Sequence, residues 1–120
     1  MVFLGGAGMD HAIGDYNAAQ GPDRAAVCDR LADLLTEGLP GAEAKVWHGG
    51  PVWFLAGNPI AGYWVRKTGV QLLFWSGQDF DEAGLRPEGK FRAAEAVFGS
   101  VDAVDEHRVQ GWQAKAAVIQ

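Results

Sequence analysis

Between residues 47 and 75 the chain sets Trp47, Trp53, Phe54, Tyr63, Trp64, Phe74 and Trp75 into short runs of alternating polarity, broken at His48-Gly49-Gly50-Pro51, Asn58-Pro59 and Thr68-Gly69. Period-two alternation, rich in aromatic and β-branched residues and bounded by glycine, proline and asparagine, is the pattern of strands. Five are predicted: Ala44 to His48, Val52 to Ala56, Ile60 to Lys67, Val70 to Trp75 and Phe91 to Phe98. The short connections, Lys67-Thr68-Gly69 above all, favour hairpins and hence antiparallel pairing. Side chains alternate across a strand, so Val46 and His48 face away from Trp47, Phe54 away from Trp53, Trp64 away from Tyr63, and Phe74 away from Trp75. Rings therefore occupy both faces, and a bulge at Gly49-Gly50 would exchange them. A small domain cannot readily bury so many rings on one face, so the sheet is expected to offer some to a ligand, a partner or a second subunit.

On either side of the strands the period becomes helical. From Asp23, Val27, Leu31, Leu34 and Leu35 recur on one stripe with Cys28 and Leu39 at its edge, starting at Pro22-Asp23 and stopping at Gly38-Leu39-Pro40-Gly41. Asp29, Asp33 and Glu37 share the opposite, acidic face. A second helix is predicted over Ser100 to Ile119, with Val101, Val104, Trp112, Ala116 and Ile119 on one face and Asp102, Asp105 and Glu106 at its positive end. Trp112 reads as a core anchor. Two such stripes need one sheet face to cover them, which leaves the other open: a two-layer α+β sandwich of N-terminal helix, antiparallel sheet and C-terminal helix. One domain over residues 15–120 is expected, preceded by a flexible arm over 1–14, since Gly5-Gly6-Ala7-Gly8 lacks phosphate-loop spacing and Val2-Phe3-Leu4 is too short for an export signal.

Charge and cysteine content narrow the partners. A formal net charge of −5 argues against nucleic acid, since Arg86, Lys90 and Arg92 make the one basic group. No apolar run approaches spanning length, which argues against a membrane partner, and a lone cysteine gives no sign of an oxidising compartment, so a cytoplasmic location is the default. Cys28 reads as a small buried hydrophobe.

Chemistry-bearing motifs are sparse. Ser76 and Ser100 lie in no nucleophile elbow, and no metalloprotease or paired-carboxylate motif occurs, so a non-catalytic protein is expected. His48 could ligate metal or move protons, but no second histidine or cysteine stands at ligand spacing, so a strand-end histidine satisfied by backbone is favoured. Asp79, Asp81 and Glu82 read as caps of a helical turn rather than a carboxylate site. The aromatic face then carries the functional reading: Trp53, Tyr63 and Trp75, with Trp47, His48 and Pro51, are expected to wall a platform for a planar or apolar small molecule or a protein. The same rings would serve equally as core on one side and a homodimer seam on the other.

The helix ending in Leu39-Pro40, the run Ala44-Lys45-Val46-Trp47-His48-Gly49-Gly50-Pro51-Val52-Trp53, then Ile60-Ala61-Gly62-Tyr63-Trp64, Val70 to Gly77 and Gly89-Lys90-Phe91-Arg92, resemble the YdhG-like family of small bacterial domains of unknown function. The resemblance runs from about Tyr16 to near the C-terminus. It implies an α+β fold like that of frataxin and, as proposed for some members, a role as an intracellular iron chaperone. Asp29, Asp33 and Glu37 would then be the metal-binding row, since ferrous iron accepts carboxylate oxygens. A charged face opposite an apolar one is also what an ordinary surface helix shows, and Arg30 beside it suggests surface ion pairing.

Overall fold

A computed structural model of the protein describes residues 11–80, 82–89 and 92–119. Strands β1 (Glu43–Trp47), β2 (Gly50–Leu55), β3 (Asn58–Arg66) and β4 (Gly69–Phe74) form a meander. It is closed by three two-residue turns that pair Trp47 with Gly50, Leu55 with Asn58, and Arg66 with Gly69. In the first two turns both central residues have positive φ, His48 (52°) with Gly49 (82°) and Ala56 (51°) with Gly57 (81°). That is the hairpin geometry whose twist matches the flanking strands. It is unfavourable for alanine, whose Cβ crowds the backbone there. Ala56→Asn is therefore expected to raise stability by about 0.5–1 kcal/mol, read as a higher urea midpoint at unchanged slope; an unchanged or lower midpoint would show that the turn is not strained.

The sheet has six strands, not five. Beyond β4 lie β5 (Arg86–Pro87), a two-residue edge, and β6 (Ala94–Phe98), in the order β1-β2-β3-β4-β6-β5, all antiparallel. The predicted last strand begins only at Ala94, because residues 86–87 pair with its start; Phe91 lies outside the described residues.

Helix α2 (Pro22–Gly38) buries Val27, Cys28, Leu31, Leu34 and Leu35, the predicted stripe. The C-terminal helix is shorter than expected. Residues Val101–Ala103 form an isolated 3-10 turn, and α3 runs from Glu106 to Ile119. The Asp105 carboxylate accepts the Arg108 N–H at 3.2 Å, so the helix starts at this cap rather than at Ser100. Val101 is consequently exposed instead of sharing the apolar face, while Val109, Trp112 and Ala116 are buried. A further helix, α1 (His11–Ala18), begins inside the stretch expected to be an arm and buries Ile13 and Asn17. Its eight residues are too short for a periodic signal. Residues 1–10 lie outside the described residues.

All three helices share one core with a single sheet face: Ile13, Leu31, Leu35, Val109 and Trp112 belong to the same buried cluster as Trp53, Tyr63, Leu72 and Phe74. The α+β expectation of helices on one side thus holds for the described residues, and the reverse face of the sheet carries no helix.

Candidate functional site

Register decides which rings reach the open face. Directly paired residues point the same way. The row Ala44, Trp53, Ala61, Phe74 and Ala94 is continuous across five strands and faces the helices, as does Tyr63 with Leu72 and Ala96. Lys45, Val52, Gly62, Leu73 and Glu95 face the other way, followed one step along by Trp64, Gln71 and Val97. The register shifts between Trp53 and Phe54, where Ile60 is the extra residue on β3. The bulge puts Trp53 opposite Ala61, in the row of Phe74, while Phe54 points to the other face by ordinary strand alternation, and its ring meets Trp47 at 5.4 Å.

The predicted platform of Trp53, Tyr63 and Trp75 is therefore divided. Trp53 is 1% exposed and Tyr63 is 0% exposed, their rings 5.9 Å apart beneath the helices. Tyr63 is fixed there by a polar chain: its hydroxyl donates to Asn17 Oδ1 at 2.8 Å, and Asn17 Nδ2 donates to Asp29 Oδ1 at 3.1 Å. Burial pushes the Tyr63 phenol well above its ordinary pKa and lifts the Cys28 thiol to about 11, so both are neutral structural groups at physiological pH. Pro51, paired with Val46, is buried in β2 and stands apart from the other predicted residues. The reason is parity: the third turn sets Tyr63 on the face of Phe74, the bulge at Ile60 brings Trp53 to that face as well, and Trp75 is one step out of phase with it.

Trp47, His48 and Trp75 do come together, and the ring that joins them is Trp64. Ring centroids lie 6.3 Å apart for Trp47 and Trp75, tilted 42°, and 6.0 Å apart for Trp64 and Trp75, tilted 51°. The Trp64 indole lies across two glycines: a methyl group at Gly50 would sit 2.5 Å from Trp64 Nε1, and one at Gly62 would sit 3.2 Å from Trp64 Cη2. These positions need glycine because a ring rests on them. Trp64 Nε1–H donates to the His48 carbonyl at 3.1 Å, which ties the ring to the first hairpin turn. The His48 ring packs on Trp47 at 4.1 Å, at the rim of the same group of rings.

These indoles wall a concavity of about 420 Å³, floored by Leu73 and closed at one end by Arg66, Gln71 and Glu88. Gln71 is nearly buried and organises that end. Its Oε1 accepts from Arg66 Nε at 3.1 Å, and its Nε2 donates to Glu88 at 3.1 Å and to Glu95 at 2.6 Å. A hollow of about 460 Å³ beside β6 and α3 is larger, but Arg86, Glu95, Asp105 and Trp112 in its lining already have hydrogen-bond or ion-pair partners. Arg86 pairs with Glu95 at 2.7 Å, Asp105 caps α3, and Trp112 Nε1–H donates to the Ala83 carbonyl at 3.0 Å.

Among the described residues the acidic row of α2 is not drawn together into one group. Asp29, Asp33 and Glu37 are exposed, strung along about 12 Å of helix axis, and among the described residues no three His, Cys, Asp or Glu side chains are grouped to hold an ion. Asp29 is engaged by Asn17, and Arg30 pairs with Glu106 of α3. Asp79 pairs with Arg92 at the 3-10 turn Gly77–Asp79, and Glu82 is exposed; Asp81 and Lys90 lie outside the described residues. No helix among the described residues is long and apolar enough to cross a membrane.

Comparison with models of known families, with curated proteins and with solved structures found no match.

Proposed function

We propose that this protein is a non-catalytic binding domain whose site is the indole-walled trough on the helix-free face, and that its ligand is a small molecule with a flat or apolar part. The observation that carries the reading is the convergence of Trp47, Trp64 and Trp75 around one concavity with a hydrogen-bonded polar end. Pockets of this size, apolar with a few placed polar groups, are what small ligands use. The resemblance to YdhG-like domains and a cytoplasmic location belong to the same proposal. The helix, antiparallel meander, helix order and the one-sided helical layer support the resemblance.

Anilinonaphthalene sulfonate, a flat apolar dye, tests it. The dye is expected to bind saturably at one site, and Trp75→Ala is expected to weaken it by about tenfold or more, the scale of one or two ring contacts, while far-ultraviolet circular dichroism stays unchanged. Equal binding by both proteins would remove the reading, as would loss of the fold in Trp75→Ala.

A further inference from the structure

We infer that the trough selects a small zwitterion, a molecule carrying an alkylated or protonated ammonium and a carboxylate, as in betaines and amino acids. This rests on the binding role proposed above and adds the charge character of the ligand.

The argument begins with the faces of the rings. Indole faces are electron-rich and attract organic cations. The sheet already uses this attraction at one end of the row, where the Lys45 ammonium sits 4.9 Å from the Phe54 ring centroid. Trp47 packs against Phe54 and continues the row to Trp75 and Trp64, and among the described residues no cation of the protein covers those three indoles. Tilts of 42° and 51° between neighbouring rings curve the wall, so that it can also surround a rounded apolar group such as an alkylated ammonium.

The polar end supplies one charge of each sign. Glu88 accepts a single amide hydrogen bond, from Gln71, and among the described residues it has no ion pair. Arg66 spends its Nε on Gln71 and leaves its two terminal nitrogens facing solvent without a partner among the described residues. Gln71 holds both in place and is itself nearly buried. The neighbouring pair, Arg86 with Glu95, is internally neutral. A purely cationic ligand would meet Arg66, and a purely anionic one would meet Glu88. A zwitterion instead sets its ammonium against the indoles and Glu88 and its carboxylate against the fork of Arg66.

Glycine betaine, choline and dimethylbutanoate separate these contributions: the first has both charges, the second has only the cation, and the third has a tertiary-butyl group in place of the ammonium. Binding is followed by the indole N–H resonances, with Trp64 as the anchored reporter. Betaine is expected to bind about tenfold or more tightly than either analogue. Glu88→Gln is expected to weaken betaine and choline but not dimethylbutanoate, and Arg66→Gln to weaken betaine and dimethylbutanoate but not choline. Equal binding of betaine and dimethylbutanoate, or no effect of either charge substitution, overturns the inference. So does a concentration-dependent dimer that buries Trp47 and Trp75. If the flat dye still occupies the trough while betaine does not, the zwitterion is wrong and the binding role stands; if neither enters, both fall.

Discussion

Trp53→Ala is expected to lower the free energy of unfolding by about 3–5 kcal/mol, the range for deleting a fully buried ring. Trp53 is 1% exposed, lies at the centre of the paired row Ala44, Trp53, Ala61 and Phe74, and packs on Tyr63, which in turn anchors α1 through Asn17. The space left behind is bordered by strands on one side and helices on the other, so it can collapse little. For a domain whose whole stability is on the order of 5–15 kcal/mol, the variant would unfold at low urea or fail to accumulate. Trp75→Ala, half-buried on the open face, is expected to lose about 1–2 kcal/mol. Urea denaturation of the two variants side by side is the measurement. Similar losses in both would contradict the assignment of one ring to the core and the other to the trough.

Gly69→Ala is expected to destabilise the protein by about 2–5 kcal/mol, from backbone strain and overpacking together. Gly69 opens β4 with a φ of 154°. A methyl group there would come within 2.8 Å of the Phe98 carbonyl carbon and closer still to its oxygen. The obstacle is main chain from β6, which cannot rotate away as a side chain can. The third hairpin and the pairing of Val70 with Phe98 would have to shift together. A Gly69→Ala protein with an unchanged urea midpoint would show that the two chains do not approach this closely.

The helical stripes and the two-layer architecture are legible in the sequence because long periodic segments average over many residues. Val27, Leu31, Leu34 and Leu35 announce α2, and Trp112 announces the anchor of α3. The site is less legible because it depends on phase between strands, which a shift of one residue reverses. A usable signal was nevertheless present. Reading Ala56-Gly57 and Lys67-Thr68 as two-residue turns places Trp64 opposite Gln71 and Tyr63 on the face of Phe74, but without the bulge it would set Trp53 opposite Ile60, on the face of Trp75. The bulge that moves Trp53 to the face of Phe74 has no such marker, since it occurs at Ile60 rather than at the glycines 49–50. Glu88 and Arg66 were hidden for a different reason: they reach the trough only through Gln71, a contact spanning separate strands and a loop. On α2 the acidic periodicity is legible, but the rise of the helix puts Asp29 and Glu37 about 12 Å apart along its axis.

Each of the first three hairpins joins residues that are nearly adjacent along the chain, so the loop that must close is as short as an antiparallel pair allows. The indole trough spans β1, β3 and the end of β4, all within this locally connected half of the sheet. Its walls can therefore assemble early in folding, before β6 returns from a distant part of the sequence to bring Glu95 alongside Gln71.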